Sequence, residues 1–500
     1  MHKNGRDLYY KIDTLPNTAD AEYNDRMVIS FGVQLALFLG TLAIFSPLLG
    51  QYIAWVMDHR ESGIRYRVEQ GLLRLCGIDT SKQTDWKTAI AITLQLSGIS
   101  LGLWGILGII ADSTPSITQL VGSVGLTPFY FLSAAIGIAV TAQLARGLRS
   151  HTGTGSIWRD ISRAVLWILL PLCLGASLFF AATGTPQPIH IGHQVMTVDR
   201  TTTQHQSILL TPMASVFAVQ TLSGVPQSAL PVHQSLQTPT PVSGLVHSLL
   251  LVLLPTSLCF AFGRWARLPD LGEKLFGLML IVLATTIAIT FFYDRQTPVV
   301  ADIQTLLVGG TMDGKFQRLG IPLSAIDSIS TAMTTGRSIP NTVHHPVPHR
   351  ILIGATGAGS LLIGSVGVGL IRLVFVTMIV IALIRWLTRK PPEYLGKAVT
   401  GRDLLIIIVG LLLPLSVEFA ARLVDLSTWG VMLIIVGGRL TTVCLALYLA
   451  AQFSDRAPLI EVNYKYLMLR SWFYVAVAVG IAIIGAAIIV PIMVYTGHPL

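Results

Sequence analysis

Residues 314–340, GKFQRLGIPLSAIDSISTAMTTGRSIP, gather the groups in this 500-residue chain best suited to chemistry. Lys315 and Arg318 open the stretch, and an apolar stripe follows at Ile321, Leu323, Ile326 and Ile329. It closes on hydroxyls and a glycine, Ser330-Thr331-Ala332-Met333-Thr334-Thr335-Gly336. Oxygens of this kind, carbonyl and hydroxyl at a helix end, can replace the water around a bare cation. The apolar part is shorter than the roughly 20 residues needed to cross a bilayer. It therefore predicts a half-helix that dips in and returns by non-helical backbone, a form tolerated at membrane depth only inside protein or beside water. The competing expectation is an interfacial helix followed by an ordinary exposed loop.

The elements that would carry such a dip are membrane spans. The chain is 52% hydrophobic and 12% charged, with mean hydropathy +0.67; soluble chains carry about 25% charge. Ten apolar segments are long enough to span: 28–49, 88–111, 126–147, 164–183, 245–263, 275–293, 362–385, 403–420, 430–452 and 472–495. The expected architecture is all-α: a polar tail over 1–26, then one polytopic membrane domain over 27–500. The tail reads as no cleavable signal peptide, with the first apolar segment as anchor.

Basic residues orient the spans. Arg60, Arg65, Arg67, Arg74, Lys82 and Lys87 follow the first; Arg146, Arg149, Arg159 and Arg163 the third; Arg264, Arg267 and Lys274 the fifth. Arg385, Arg389, Lys390, Lys397 and Arg402 follow the seventh, and Arg456, Lys465 and Arg470 the ninth. The alternate connections are nearly bare, so both termini are expected to be extracytoplasmic. The net charge of +9 then reflects cytoplasmic loops and lipid rather than nucleic acid. Two outer connections are long, 184–244 and 294–361, and each holds an amphipathic piece, Pro212–Leu222 and Arg318–Gly336. Two such dips predict an internal repeat of helix, re-entrant loop and helix.

Strings along the chain resemble KdpA, the potassium-binding and translocating subunit of the bacterial Kdp potassium-pumping ATPase. Gly125-Leu126-Thr127, Phe131-Leu132-Ser133-Ala134-Ala135 and Gly137-Ile138-Ala139-Val140 are similar to its third helix. Glu69, Arg74, Gly77 and Trp86-Lys87 are similar to its first cytoplasmic loop, and Trp158, Asp160, Arg163, Leu166-Trp167 and Pro171 to its fourth helix. Pro255-Thr256 with Leu258–Gly263 resemble its fifth, and Gly314-Lys315 with Arg318 the entry to its third re-entrant loop. Pro392-Glu393-Tyr394-Leu395-Gly396-Lys397 resembles a cytoplasmic loop, so the likeness runs over about residues 45–453.

The resemblance implies the potassium-channel-like fold of the superfamily of K+ transporters: four repeats, each with a re-entrant loop, around one potassium filter. It implies K+ as the transported ion, with ATP hydrolysed by the P-type subunit KdpB and with KdpC and KdpF as further partners. No catalytic residue, nucleotide or metal beyond K+ is expected in this chain. Residues carried over as potassium ligands are Thr331, Thr334, Thr335 and Gly336 in the third loop and Ser223 and Gly224 in the second. Arg439 and Arg337 are candidate pathway charges.

The chain also departs from the pattern. The connections at 112–125 and between Arg422 and Gly430 leave no room for the first and fourth loops, and the second reads Leu222-Ser223-Gly224-Val225-Pro226-Gln227 where the family has Thr-Asn-Gly-Gly-Gly. Arg337 stands where a small apolar residue is expected, and would repel a cation by about 4 kcal/mol at 4 Å and an effective dielectric of 20, unless it points to the outer vestibule. A diverged, non-conducting scaffold or vestigial paralogue is therefore the alternative.

Other candidates carry lesser expectations. Arg372 and Glu418 in the spans are candidates to pair with each other, and Asp327 to neutralise Arg337 or Lys315. Gly354–Gly359 has Walker A glycine spacing, but Ser360-Leu361 replaces the Lys-Ser/Thr a phosphate cradle requires. Gly98-Ile99-Ser100-Leu101-Gly102 lies in a span, where its small residues predict close helix packing. His344, His345 and His349 read as a Pro-broken outer loop or, alternatively, transition-metal ligands.

Overall fold

The computed structural model describes residues 17–58, 64–75, 77–78, 83–112, 127–149, 154–187, 193–196, 205–208, 213–224, 237–296, 314–335, 362–387, 389, 393–423 and 428–456. Side chains at 17–25, 64–65, most of 101–112, 193–196, 205–208, 293–296, 314–318, 335 and 415–436 are not described. The helices are α1 (Asn17–Asp58), α2 (Ile64–Leu75), α3 (Trp86–Asp112), α4 (Thr127–Arg149) and α5 (Ile157–Arg163). A π-helical stretch, Ala164–Leu169, joins α5 to α6 (Leu170–Ala182). Then come α7 (Met213–Ser223), α8 (Pro241–Trp265), α9 (Pro269–Gln296), α10 (Gly314–Thr335), α11 (Val368–Leu387), α12 (Gly401–Leu423) and α13 (Thr428–Ser454).

Strands β1 (His193–Met196) and β2 (His205–Ile208) pair antiparallel, His193 opposite Ile208. Strands β3 (Glu393–Tyr394) and β4 (Lys397–Ala398) form a small hairpin. Its turn residues Leu395 and Gly396 have φ of 50° and 78°, the left-handed pair of a tight hairpin turn.

Nine of the ten predicted spans fall in these helices, and the tenth, 472–495, lies outside the described residues. Among the described residues six helical segments are long and apolar enough to cross a membrane. Boundaries shift where polar residues extend a helix. The first span grows to Asn17–Asp58, the fourth begins at Ile157, and the seventh begins only at Val368.

Burial sorts the helices into layers. In α4 nearly every residue from Ala134 to Leu148 is buried, and α8 is enclosed almost as fully. By contrast α1 turns Ile29, Val33, Leu37, Ile44 and Leu48 outward, and α12 does the same with Leu405, Val409 and Leu412. Apolar side chains on the outside of an apolar bundle are a lipid-facing surface.

Small residues let the inner helices approach. A Cβ on Gly137 of α4 would lie 2.1 Å from the Val366 carbonyl oxygen, and Gly367 opposite it has φ of 79°. The glycines expected to pack α3 do not: a Cβ on Gly98 or Gly102 meets nothing within 4 Å. Ser100 bonds its own helix at the Leu96 carbonyl, 2.7 Å. The glycine face of α3 thus borders open space, not another described helix.

Candidate functional site

Two half-helices lie inside the bundle. In α10 the chain breaks at Gly320, φ 75° and ψ 159°, and restarts with Ile321-Pro322. Proline is favoured there because its fixed φ suits a first turn and its missing N–H costs nothing. From Ile321 the helix runs about fifteen residues, roughly 22 Å, against the ~30 Å hydrocarbon core.

Residues Pro322 to Ser330 are all buried, as are Ala332, Met333 and Thr334. An interfacial helix would expose one face, so burial all round rejects that expectation. The amphipathic reading of Arg318–Gly336 is corrected in the same way. Small hydroxyl side chains fit a packed interior when they bond back to the preceding turn, as Thr334 does to the Ser330 carbonyl at 2.7 Å. The half-helix packs against α1, α8 and α9.

The second half-helix, α7, corrects the other amphipathic piece. Of Met213–Ser223 all but Ser215 are buried, against α4, α6 and α8. It ends at Gly224, whose φ of 58° is the left-handed cap that glycine takes without strain. A Cβ there would come within 3.4 Å of the Ser365 Cα, so the cap is pressed against the turn leading into α11.

The carried-over residues therefore sit as follows. Ser223 and Gly224 are buried at the C-terminal end of α7, and at that of α10 Thr334 is buried and Thr331 half-buried. Thr335 belongs to the same end but its side chain is not described, and Gly336 and Arg337 lie outside the described residues. So do residues 113–126 and 424–427, where the first and fourth loops are expected, the glycine run at 354–359, and His344, His345 and His349. Helix C-terminal ends present unpaired carbonyls and partial negative charge, which suits cations. Two buried hydroxyls, Thr221 Oγ1 on α7 and Ser330 Oγ on α10, have no hydrogen-bond partner among the described residues. Such orphans are rare in folded interiors and call for a ligand or water.

Asp327 meets α8; of its expected partners, the Lys315 side chain and Arg337 lie outside the described residues. Its Oδ1 lies 2.7 Å from His247 Nδ1 and accepts from Ser248 Oγ at 2.9 Å, all three groups buried. The histidine is 80 residues away in sequence. The His247 ring stacks on Phe217 of α7 at 4.7 Å between centroids, so one imidazole joins both half-helices to α8. Sequence reasoning passed over His247; the available signal was a titratable side chain inside an apolar run, which is functional by default.

Arg439 lines a small cavity of about 30 Å3 with Ser97, Ser100, Ser133 and Leu440, room for a water or two. Arg372 is buried, its Nε 3.4 Å from Thr442 Oγ1; the side chain of Glu418, its expected partner, is not described.

At one end of the bundle the PEYLGK string turns structural. Lys397, 2% exposed, donates to the carbonyls of Gly147 on α4 (3.0 Å) and Phe453 on α13. Burial holds its ammonium below the ordinary lysine value, and the nearby Arg456 guanidinium adds to that. Burial likewise pushes the Tyr394 phenol up to about 12. Nearby, Glu69 accepts from Arg163 Nε (3.1 Å) and Trp167 Nε1 (3.0 Å), while Arg146 pairs with Asp160 at 2.7 Å.

A lipid-facing helical bundle enclosing two short half-helices with hydroxyl-bearing ends is a polytopic membrane protein of the re-entrant type. Residues 112–428 match the family described as potassium-transporting ATPase A subunit, KdpA, and the chain belongs to that family. Among similar proteins are potassium-transporting ATPase potassium-binding subunits from Rhodospirillum centenum and Desulfovibrio desulfuricans. The first is 27% identical, covering 78% of this chain and 76% of that one. The second is 29% identical, covering 75% of each. The subunit of that name from Pseudomonas aeruginosa is 27% identical over 76% of this chain and 75% of its own length.

Proposed function

We propose that this chain is the potassium-binding and translocating subunit of an ATP-driven, Kdp-type uptake pump. It takes K+ from the extracytoplasmic side and passes it through the membrane. In this reading it lies in the bacterial inner membrane with both termini outside, and the site is built from Thr331, Thr334, Thr335 and Gly336 with Ser223 and Gly224. ATP is hydrolysed by a P-type partner, KdpB, with KdpC and KdpF completing the complex, and this chain binds no nucleotide. Arg439, beside serines in its small cavity, would act as a pathway charge.

The observation that carries the reading is the pair of orphaned hydroxyls, Thr221 and Ser330, buried near the ends of two half-helices. Potassium needs oxygens from more than one direction, and two half-helices supply two directions. The partial negative charge at each helix end favours the ion further.

A second reading, a non-conducting scaffold, is favoured by Arg337 directly after Gly336 and by the Leu222–Gln227 run at the end of α7. Coexpression with a KdpB-type ATPase subunit in a potassium-uptake-deficient host separates the two. Restored growth at limiting potassium, dependent on the ATPase, supports transport. Capture of the ATPase subunit without uptake by a well-expressed chain supports the scaffold.

A further inference from the structure

We propose that His247 and Asp327 form a buried proton-binding site whose charge controls how tightly the adjacent half-helix ends hold a cation. The consequence rests on the potassium reading above, but the site has evidence of its own. A carboxylate and an imidazole stand 2.7 Å apart, their side chains 5% and 4% exposed, in the interior of a membrane bundle. Nδ1 faces the carboxylate, while Nε2 is buried with no hydrogen-bond partner among the described residues. A buried ring nitrogen in that position is an acceptor waiting for a proton or a donor waiting for a base.

The pair has two charge states. With protons on both ring nitrogens it is imidazolium and carboxylate, net zero. Loss of the Nε2 proton to water leaves a neutral imidazole donating through Nδ1–H to Asp327, net minus one. Only an N–H bond forms or breaks, and water carries the proton. The extra negative charge in a low-dielectric interior strengthens the attraction for a cation nearby.

The two orphaned hydroxyls that carry the potassium reading are close. Ser330 lies three residues beyond Asp327 and Thr221 four beyond Phe217, about one helical turn each, or about 4.5 and 6 Å along their axes. A unit charge within about 10 Å at an effective dielectric near 20 changes cation affinity by roughly tenfold or more.

The other ionisable groups on the elements packed around the pair stand mostly towards helix ends. Half-helix α7 carries no ionisable side chain. Lys315 and Arg318 precede the break in α10; Tyr293, Asp294 and Arg295 end α9; Asp20, Glu22, Tyr23, Asp25 and Arg26 stand near the start of α1, with Tyr52 and Asp58 towards its end. At the opposite end of α9 are Asp270, Glu273 and Lys274. On α4 the ionisable groups are Tyr130, Arg146 and Arg149, on α8 itself Cys259 and Arg264, and on α11 Arg372 and Arg385.

Because linkage is reciprocal, a proton that weakens potassium binding must be expelled when potassium binds. The test adds KCl to the purified full-length chain in weakly buffered detergent at a series of pH values between about 5.5 and 8. Proton release is read by an indicator dye and potassium binding by calorimetry. The wild type should release a fraction of a proton per potassium bound, and its potassium affinity should fall about tenfold from pH 8 to pH 5.5. Asp327→Asn and His247→Gln should bind potassium with no release and a flat pH profile. Potassium binding with the same proton release in all three proteins overturns the proton site and leaves the filter standing. Absence of potassium binding in the wild type overturns the filter reading and with it the coupling. In that case a 15N-histidine NMR titration decides the remainder: a His247 resonance, assigned by its loss in His247→Gln, that does not move over this range removes the proton site as well. Folding of each variant is checked by its elution as a single species.

Discussion

The Tyr52 hydroxyl donates to the Trp167 carbonyl over 2.6 Å, and that carbonyl is the one Pro171, four residues on, has no N–H to satisfy. Proline inside a membrane helix normally leaves such a gap. Here α1 closes it, at a π-helical stretch where the ladder is already displaced. Tyr52→Phe should lower stability by about 1–2 kcal/mol. Adding Pro171→Ala, which restores an N–H, should recover part of the loss. Thermal unfolding of the solubilised single and double variants measures the coupling.

Lys397 holds two helix ends together, reaching backbone carbonyls of Gly147 and Phe453. Lys397→Met keeps the stem and removes the donor, leaving buried carbonyls behind. A loss of roughly 2–4 kcal/mol is expected from two unmade charge-assisted bonds. Denaturation is monitored by tryptophan fluorescence. Arg402→Gln, at an exposed position, serves as the control that separates this loss from a general effect of removing positive charge.

Glycines divide into two kinds, and the division can be measured. Gly137→Ala drives a methyl onto the Val366 carbonyl and should cost several kcal/mol or abolish folding. Gly98→Ala and Gly102→Ala meet open space and should stabilise α3 by up to about 1 kcal/mol each. Yield of monodisperse protein and its melting temperature report both.

Glu69 collects donors from Arg163 and Trp167 across more than 90 positions of sequence. Glu69→Ala strands a buried guanidinium and should lower stability by about 3–5 kcal/mol. Glu69→Gln, which keeps an acceptor oxygen, should cost less. Melting curves of the two variants check the order.

The spans were legible because hydropathy over some 20 residues is a strong signal, and the KdpA-like strings lie where that signal is least ambiguous. The half-helices were legible as short apolar pieces ending in glycine and hydroxyls, but their depth was not. Hydropathy counts Ser324, Ser328 and Ser330 as polar, whereas a packed helix admits small hydroxyl side chains throughout its circumference. The contact of Asp327 with His247 was missed because Lys315 and Arg337 are near in one dimension and His247, a whole connection away, is not. Lys397 looked like one more loop cation; only the meeting of α4 and α13 shows what it caps.

Potassium binding at the hydroxyl-bearing end of α10 is the claim on which the transport reading turns. Calorimetric potassium titration of the purified chain, wild type against Thr334→Val, tests it most directly, since valine keeps the shape and removes one oxygen. The wild type should bind potassium in preference to sodium, and the substitution should weaken that binding at least tenfold. Superimposable isotherms for the two proteins would contradict it.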